Sequence, residues 1–111
     1  MNSEVIQLEN EAEQLKNAGD FTAAIDKLNA ALAIDETFVR GHLGLSILYE
    51  KSQDYPKSVA HAEKAVELEP DDVFNMTALS VTYQRAFEGT RDPIYIQKAE
   101  EALARTRRGC S

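Results

Sequence analysis

Few residues of this 111-residue sequence could support catalysis or metal binding. They are the two histidines His42 and His61, the single cysteine Cys110, and the adjacent aspartates Asp71–Asp72. Histidine and cysteine are zinc ligands, and a cysteine activated by a neighbouring base can act as a nucleophile. Neither histidine has a second ligand at the spacing of a zinc site, and no nucleophile, base and orienting group can be combined. The sequence therefore does not predict an enzyme, a metal site or a bound cofactor.

Each of these residues has a structural explanation. We expect His42 to pack in the core and His61 to face solvent on the outer side of its helix. Asp71 and Asp72 precede a helical stretch, where a carboxylate can cap free amides and interact favourably with the helix dipole. Cys110 falls in residues 108–111, which are predicted to form a flexible tail, so an exposed thiol is its simplest interpretation.

Composition and charge predict one folded domain over residues 1–111. Hydrophobic residues make up 43% and charged residues 28%, as in ordinary soluble domains. The formal net charge is -7, with 16 acidic and 7 basic residues in positions 1–90 but 3 acidic and 5 basic residues in positions 91–111. Because an acidic body repels phosphate backbones, no nucleic-acid partner is expected.

Targeting signals are equally sparse. No apolar run approaches the roughly 20 residues that a membrane helix needs, so no membrane partner is expected. The first fifteen residues are rich in glutamate and lack the apolar core of a signal peptide. One cysteine cannot form an internal disulfide. These features together favour a cytoplasmic protein.

Apolar residues recur at helical spacing in six stretches. Helix one is predicted to begin at Asn2 or Ser3, helix two to cover about Phe21–Ile34, and helix three to cover about Val39–Lys51. Helix four is predicted to follow Asp54 and to end before Pro70. Helix five is predicted to follow Asp71–Asp72, and helix six to begin at Asp92–Pro93. In helix six, Ile96, Ala99, Ala102 and Leu103 are expected to point inward. Ile94 and Tyr95 are candidates for outward projection.

The sequence also repeats itself with a period of 34 residues. Val5, Val39 and Val73 align, as do the small residues Ala12, Ser46 and Ser80, while Ala31 aligns with Ala65 and Asp20 with Asp54. A fixed period of this length indicates a supersecondary unit stacked several times. The small residues let neighbouring helices approach closely. In the third copy, Phe87-Glu88-Gly89 resembles a three-residue insertion.

A helix, a short turn and a second helix, repeated at this period, resemble the tetratricopeptide repeat (TPR) family. The second copy carries the resemblance best, with Leu45-Ser46, Tyr49, Ser58, Ala62, Ala65 and Pro70 at the family's characteristic positions. The resemblance implies an all-α superhelix, or solenoid, of three stacked helix-turn-helix repeats and six helices. The repeats would cover about residues 5–38, 39–72 and 73–107, with the insertion near 87–89.

By the same resemblance, the first helix of each repeat lines a concave groove that binds peptides. The groove residues would be Glu9, Asn10, Glu13, Arg40, Leu43, Ile47, Lys51, Phe74, Thr77, Val81 and Arg85, together with Ile6, Gly44 and Ala78. One branch of the family binds the C-terminal carboxylate of heat-shock chaperones with lysines, asparagines and an arginine. The corresponding positions here hold Glu9, Glu13, Gly44, Phe74 and Ala78, which are unsuited to that carboxylate.

The sequence therefore predicts a protein-interaction module, an adaptor or scaffold rather than an enzyme. Its apolar strip, Leu43, Ile47, Phe74 and Val81, would bind an apolar or amphipathic segment of a partner protein, and Glu9 and Glu13 would favour basic flanks. The competing structural interpretation is that neighbouring helices or the tail cover this strip. The alternative function is a self-assembling scaffold, a homo-oligomer formed through its acidic first helix and basic last helix.

Overall fold

The computed structural model describes residues 2–110, and the side chains of residues 2–105. These residues form six α-helices and no strand: α1 (Ser3–Asn17), α2 (Phe21–Ile34), α3 (Val39–Lys51), α4 (Tyr55–Leu68), α5 (Val73–Thr90) and α6 (Ile94–Cys110). The helices pack as three hairpins, α1–α2, α3–α4 and α5–α6, and α2 contacts α3 as α4 contacts α5. The predicted all-α superhelix of three stacked repeats is confirmed. We call α1, α3 and α5 the A helices, and α2, α4 and α6 the B helices.

Side-chain caps fix where four of the helices begin. The cap acceptors are Asn2 for α1, Asp20 for α2, Asp54 for α4 and Asp72 for α5. Each side-chain oxygen accepts a hydrogen bond from a first-turn amide, which would otherwise lack a partner. Oδ1 of Asn2, for example, lies 2.7 Å from the amide nitrogen of Glu4. Asp20 and Asp54 are thus confirmed as caps, and of the alternatives Asn2 rather than Ser3 caps α1, and Asp72 rather than Asp71 caps α5.

The turns inside the first two hairpins have the same backbone conformation. Gly19 and Gln53 occupy equivalent positions, and both are left-handed, with φ of 85° and 63°. In each turn the next amide bonds back to the A helix, from Asp20 to the carbonyl of Leu15 (2.9 Å) and from Asp54 to that of Tyr49 (2.8 Å). Glycine adopts this conformation without strain, whereas glutamine does not. The second turn therefore has the geometry of the first, but with backbone strain at Gln53 that Gly19 does not have.

Small residues lie at the contacts between helices, as predicted. Ala12, Ser46 and Ser80 on the A helices are buried, and so are Ala31 and Ala65 on the B helices. In the middle hairpin, the hydroxyl of Ser58 donates to the carbonyl oxygen of Ser46 over 2.7 Å. This bond forms only because the backbones of α3 and α4 approach closely. A larger residue at position 46 would hold the two backbones apart.

The third repeat differs from the others because α5 is longer. It has 18 residues, whereas α1 has 15 and α3 has 13. The additional turn contains Gly89, which packs against the ring of Tyr55 at the start of α4. A Cβ atom at position 89 would overlap two ring carbons of Tyr55. Residues 87–89 thus extend α5 over the neighbouring hairpin.

The orientation predicted for α6 is partly wrong. Allowing for the three additional residues, Ile96 and Leu103 are the equivalents of Val59 and Val66. The two valines are 5% exposed because α5 packs over them, whereas Ile96 is 42% and Leu103 is 36% exposed. Among the described residues, no further repeat covers this face of α6. Ala99 and Ala102 are buried, as predicted.

One other expectation, at the start of α6, needs correction. Tyr95 was a candidate for outward projection but packs against the core formed by α4, α5 and α6, while Ile94 is exposed. The backbone of α6 is helical to Cys110, and the side chains of the predicted tail at 108–111, with Cys110, lie outside the described residues.

Candidate functional site

The A helices form two adjoining pockets on the same side of the molecule, with Ile47 in the wall of both. The first, the α1–α3 pocket, has a volume of about 220 Å³. Its lining residues come mainly from α1 and α3: Glu9, Ala12, Glu13, Lys16, Leu28, Arg40, Leu43, Gly44, Ile47 and Leu48. Ala12, Leu28 and Leu48 belong to the core, so the floor of this pocket is apolar.

Charged residues at the α1–α3 pocket are paired with one another. Nε of Arg40 lies 2.9 Å from Oε2 of Glu9, and a terminal nitrogen of the same guanidinium lies 3.0 Å from Oε1. This two-point geometry joins α1 to α3. The hydrogen bonding that Arg40 donates to Glu9, and then the negative charge of that carboxylate, raise the pKa of Arg40 above its ordinary value. On α1, Lys16 lies 3.2 Å from Glu13.

The second pocket, the α3–α5 pocket, is larger, about 480 Å³. It is lined by Ser46, Ile47, Glu50, Lys51, Ser58, Phe74, Thr77, Ala78, Val81, Thr82 and Arg85. Three large apolar residues in its wall, Ile47, Phe74 and Val81, are exposed, and Phe74 is 71% exposed. Isolated exposed apolar residues are ordinary on a surface, but a contiguous group in a concavity is typical of a binding site.

The polar groups of the α3–α5 pocket differ in their bonding. Arg85 lies 3.7 Å from Glu50, which joins α5 to α3. The side chains of Lys51 and Thr77 form no hydrogen bond or ion pair with any described residue. A free ammonium group and a free hydroxyl are therefore available beside the apolar wall.

The structure brings together nearly all of the predicted groove residues. Glu9, Glu13, Arg40 and Leu43 line the α1–α3 pocket, Lys51, Phe74, Thr77, Val81 and Arg85 line the α3–α5 pocket, and Ile47 lines both. Gly44 and Ala78 also line one pocket each. Asn10 is exposed but lies outside both pockets, as does Ile6.

Sequence reasoning missed the pocket floors. Leu28 and Ser58 come from B helices and reach the groove between two A helices. The pattern of one A helix cannot reveal a side chain from the layer behind it. One signal was available, since position 44 is glycine where the other repeats have Asn10 and Ala78. A missing side chain at one repeat position opens a gap to the residue behind it.

The two histidines, distant in sequence, are adjacent in the structure. His42 is buried, as predicted, but His61 is half-buried rather than solvated, and it stacks on Tyr49. The Nδ1 atoms of the two histidines are 3.1 Å apart, and Nε2 of His42 is 2.9 Å from the carbonyl oxygen of Glu36. Since a carbonyl oxygen only accepts, His42 donates there from Nε2 and accepts from His61 at Nδ1. Within the described residues, no group of three or more His, Cys, Asp or Glu side chains could hold a metal ion.

None of the described helices is both long and apolar enough to span a bilayer. No protein-family model matches the chain, and no curated protein matches it significantly.

Solved structures do match it. They include the N-terminal domain of stress-induced protein-1 (STI-1) from C. elegans, with a TM-score of 0.65 and 18% identity over 89% of this chain and 94% of that one. The first TPR of Spaghetti (RPAP3) bound to the HSP90 peptide SRMEEVD matches with a TM-score of 0.67 and 14% identity over 92% and 97%. The MamA protein matches with a TM-score of 0.69 and 18% identity over 94% of this chain and 57% of that one. The chain described here therefore has the TPR fold, with three helical hairpins as its three repeats.

Proposed function

We propose that this chain is a protein-interaction module, and that its groove binds an apolar or amphipathic segment of a partner protein. The observation that carries the proposal is the exposure of Ile47, Phe74 and Val81 around one pocket. Burying such side chains against a partner is the main favourable term in protein association. A likeness in fold to a TPR that binds a peptide supports the same kind of partner.

The charges in the groove argue against a C-terminal carboxylate as the ligand. Glu9 and Glu13 lie at positions where a carboxylate-binding TPR would need donors, and both are acids. Glu9 already binds Arg40, and Glu13 lies beside Lys16. These pairs also weaken the expected preference for basic flanks, because much of the negative charge is neutralised within the protein. An apolar or amphipathic segment remains the best-supported ligand.

A matched pair of substitutions tests this function. Phe74→Glu places a charge in the groove, whereas Val73→Glu places one on the adjacent exposed residue outside both pockets. Both positions lie in the first turn of α5, where a carboxylate is favourable, so helix stability should respond similarly. Partners would be captured from native extract with the unchanged chain, and the bound segment would be mapped by amide shifts in the isotope-labelled protein.

We expect Phe74→Glu to abolish capture and Val73→Glu to preserve it. The mapped shifts should include Ile47, Thr77 and Val81. Equal capture by the two variants, or shifts confined to the B helices, would contradict a groove-binding function.

A second candidate function, self-association through the terminal helices, is favoured by the exposed positions Ile96 and Leu103 on α6. Sedimentation over a range of protein and salt concentrations tests it. Self-association should weaken when Ile96→Glu and Leu103→Glu are combined. A strict monomer at all concentrations would eliminate this candidate.

A further inference from the structure

We infer that the α1–α3 pocket is an anchor site for one large uncharged side chain, and that the partner is an extended segment that places a second anchor on the other side of α3. This inference rests on the proposed function, since it specifies the segment that the groove would bind. The second anchor would occupy the α3–α5 pocket, between Phe74 and Val81.

Gly44 makes the first anchor site possible. A Cβ atom built at this position would lie 2.8 Å from Cδ1 of Leu28, which also lines the pocket. Any side chain here would therefore occupy the space in front of Leu28. The equivalent residues are Asn10, outside both pockets, and Ala78, in the α3–α5 pocket. The α1–α3 pocket reaches core residues because the middle repeat has no side chain at position 44.

The charges around the α1–α3 pocket select for an uncharged anchor. Glu9 and Arg40 satisfy each other through two hydrogen bonds, and Glu13 pairs with Lys16. A charged anchor would lose water on entering an apolar pocket and would gain a partner only by breaking one of these pairs. A leucine-sized anchor has no charge whose hydration would be lost, and its burial should increase the affinity about tenfold or more.

The two pockets lie on either side of α3, and Ile47 lines both, so one segment that crosses α3 can reach both pockets. A polyproline II segment advances about 3.1 Å per residue with three residues per turn, so its side chains three residues apart point the same way about 9 Å apart. An extended segment of this kind can therefore present one side chain to each pocket.

The free polar groups of the α3–α5 pocket favour an extended ligand over a helical one. A helix satisfies its own backbone groups, whereas a polyproline II segment leaves its carbonyl oxygens without internal partners. Lys51 and Thr77 line this pocket, and neither side chain bonds to another described residue. Both can donate to carbonyl oxygens of an extended segment.

Short capped peptides test the inference. The probe is acetyl-Ser-Leu-Pro-Pro-Leu-Ser-amide, which favours polyproline II and carries leucines three residues apart. Its controls replace either leucine with serine, replace the first leucine with glutamate or lysine, or place one or three prolines between the leucines. A longer helical peptide with leucines seven residues apart represents the helical alternative. Affinities would be measured by amide-shift titration of the full chain and of Gly44→Ala.

We expect the best of the two-leucine peptides to bind about tenfold or more tightly than either one-leucine control, and more tightly than the peptides with a charged first anchor. Gly44→Ala should remove this advantage while leaving unchanged the binding of the peptide that retains only the second leucine. Because the new Cβ must displace Cδ1 of Leu28, Gly44→Ala can also change stability. A melting curve and the retained binding of the second-leucine peptide show whether the variant is folded.

Two outcomes would overturn the inference and leave the proposed function standing. One is an advantage of the two-leucine probe that persists in Gly44→Ala, and the other is tighter binding of the helical peptide. A panel in which no peptide shifts any groove amide would contradict the proposed function as well.

Discussion

His42 and His61 face each other through their Nδ1 atoms across the contact between α3 and α4, 3.1 Å apart. Only one of the two Nδ1 atoms can carry a hydrogen in this geometry. Two positively charged imidazoles, each with a hydrogen on both ring nitrogens, would therefore have to separate. Burial lowers the pKa of His61 below its ordinary value of 6.5, and the facing His42 lowers it further. Two residues that the sequence leaves unconnected therefore couple the packing of the middle repeat to pH.

The first prediction is that acidification destabilises the protein. Because the pKa of His61 is lower in the folded chain than in the unfolded one, the unfolded chain binds a proton first as the pH falls. The free energy of unfolding should therefore decrease as the pH drops below about 6.5. Denaturant titrations from pH 8 to pH 5 measure it. His61→Gln can still donate to His42 but does not titrate, so a decrease of equal size in that variant would contradict this assignment.

The second prediction concerns Gly89 and Tyr55. In the unchanged chain, Gly89→Ala should destabilise, because the new methyl group must displace the ring of Tyr55. In a Tyr55→Ala background the same substitution should stabilise by about 1 kcal/mol, since alanine suits a helix better than glycine. Denaturant unfolding of the four proteins gives the coupling between the positions. Identical effects of Gly89→Ala in both backgrounds would show that the two residues do not interact.

The third prediction exchanges two residues between equivalent turns. Gln53 has the left-handed conformation that Gly19 has in the first hairpin. We expect Gln53→Gly to stabilise by about 0.5–1 kcal/mol through relief of backbone strain, and Gly19→Gln to destabilise by about 1 kcal/mol. Thermal and denaturant unfolding provide the measurement. Changes of the same sign in both variants would contradict the equivalence of the turns.

The fourth prediction tests the close approach of the repeats. Ala65 is fully buried, so Ala65→Leu should cost about 1–3 kcal/mol through overpacking. Ala60 lies on the exposed face of the same helix, and Ala60→Leu should change the stability little. Should Ala65→Leu melt together with the unchanged chain, position 65 would not be a close contact between helices.

The sequence was informative where one local signal determines the structure. Asp54 identifies the start of α4 because a carboxylate is needed beside free amides, and Pro70 follows its end because proline cannot extend a helix. The resemblance to the TPR family implies which positions of each repeat face the groove, which is why Ile47, Phe74 and Val81 were expected together. The caps and the helix ends need only neighbours along the chain.

The failures concern properties that depend on neighbours distant in the sequence. His61 was expected in solvent because adjacent residues are charged, but its environment is set by His42 and Tyr49 on another helix. Ile96 and Leu103 were expected to be buried because they are apolar, but burial also needs a covering surface. The pairing of Glu9 with Arg40 likewise depends on how two hairpins stack.

The ion pairs Glu9–Arg40 and Glu50–Arg85 each join consecutive A helices along the groove, from the first hairpin to the second and from the second to the third. All four side chains are partly exposed, so dissolved ions screen their attraction. Added salt should therefore weaken both ion pairs, let the A helices move apart along the groove and reduce the curvature of the superhelix. Small-angle scattering should show the radius of gyration rising with added salt, and a partner that competes for Arg85 would straighten the molecule as it docks.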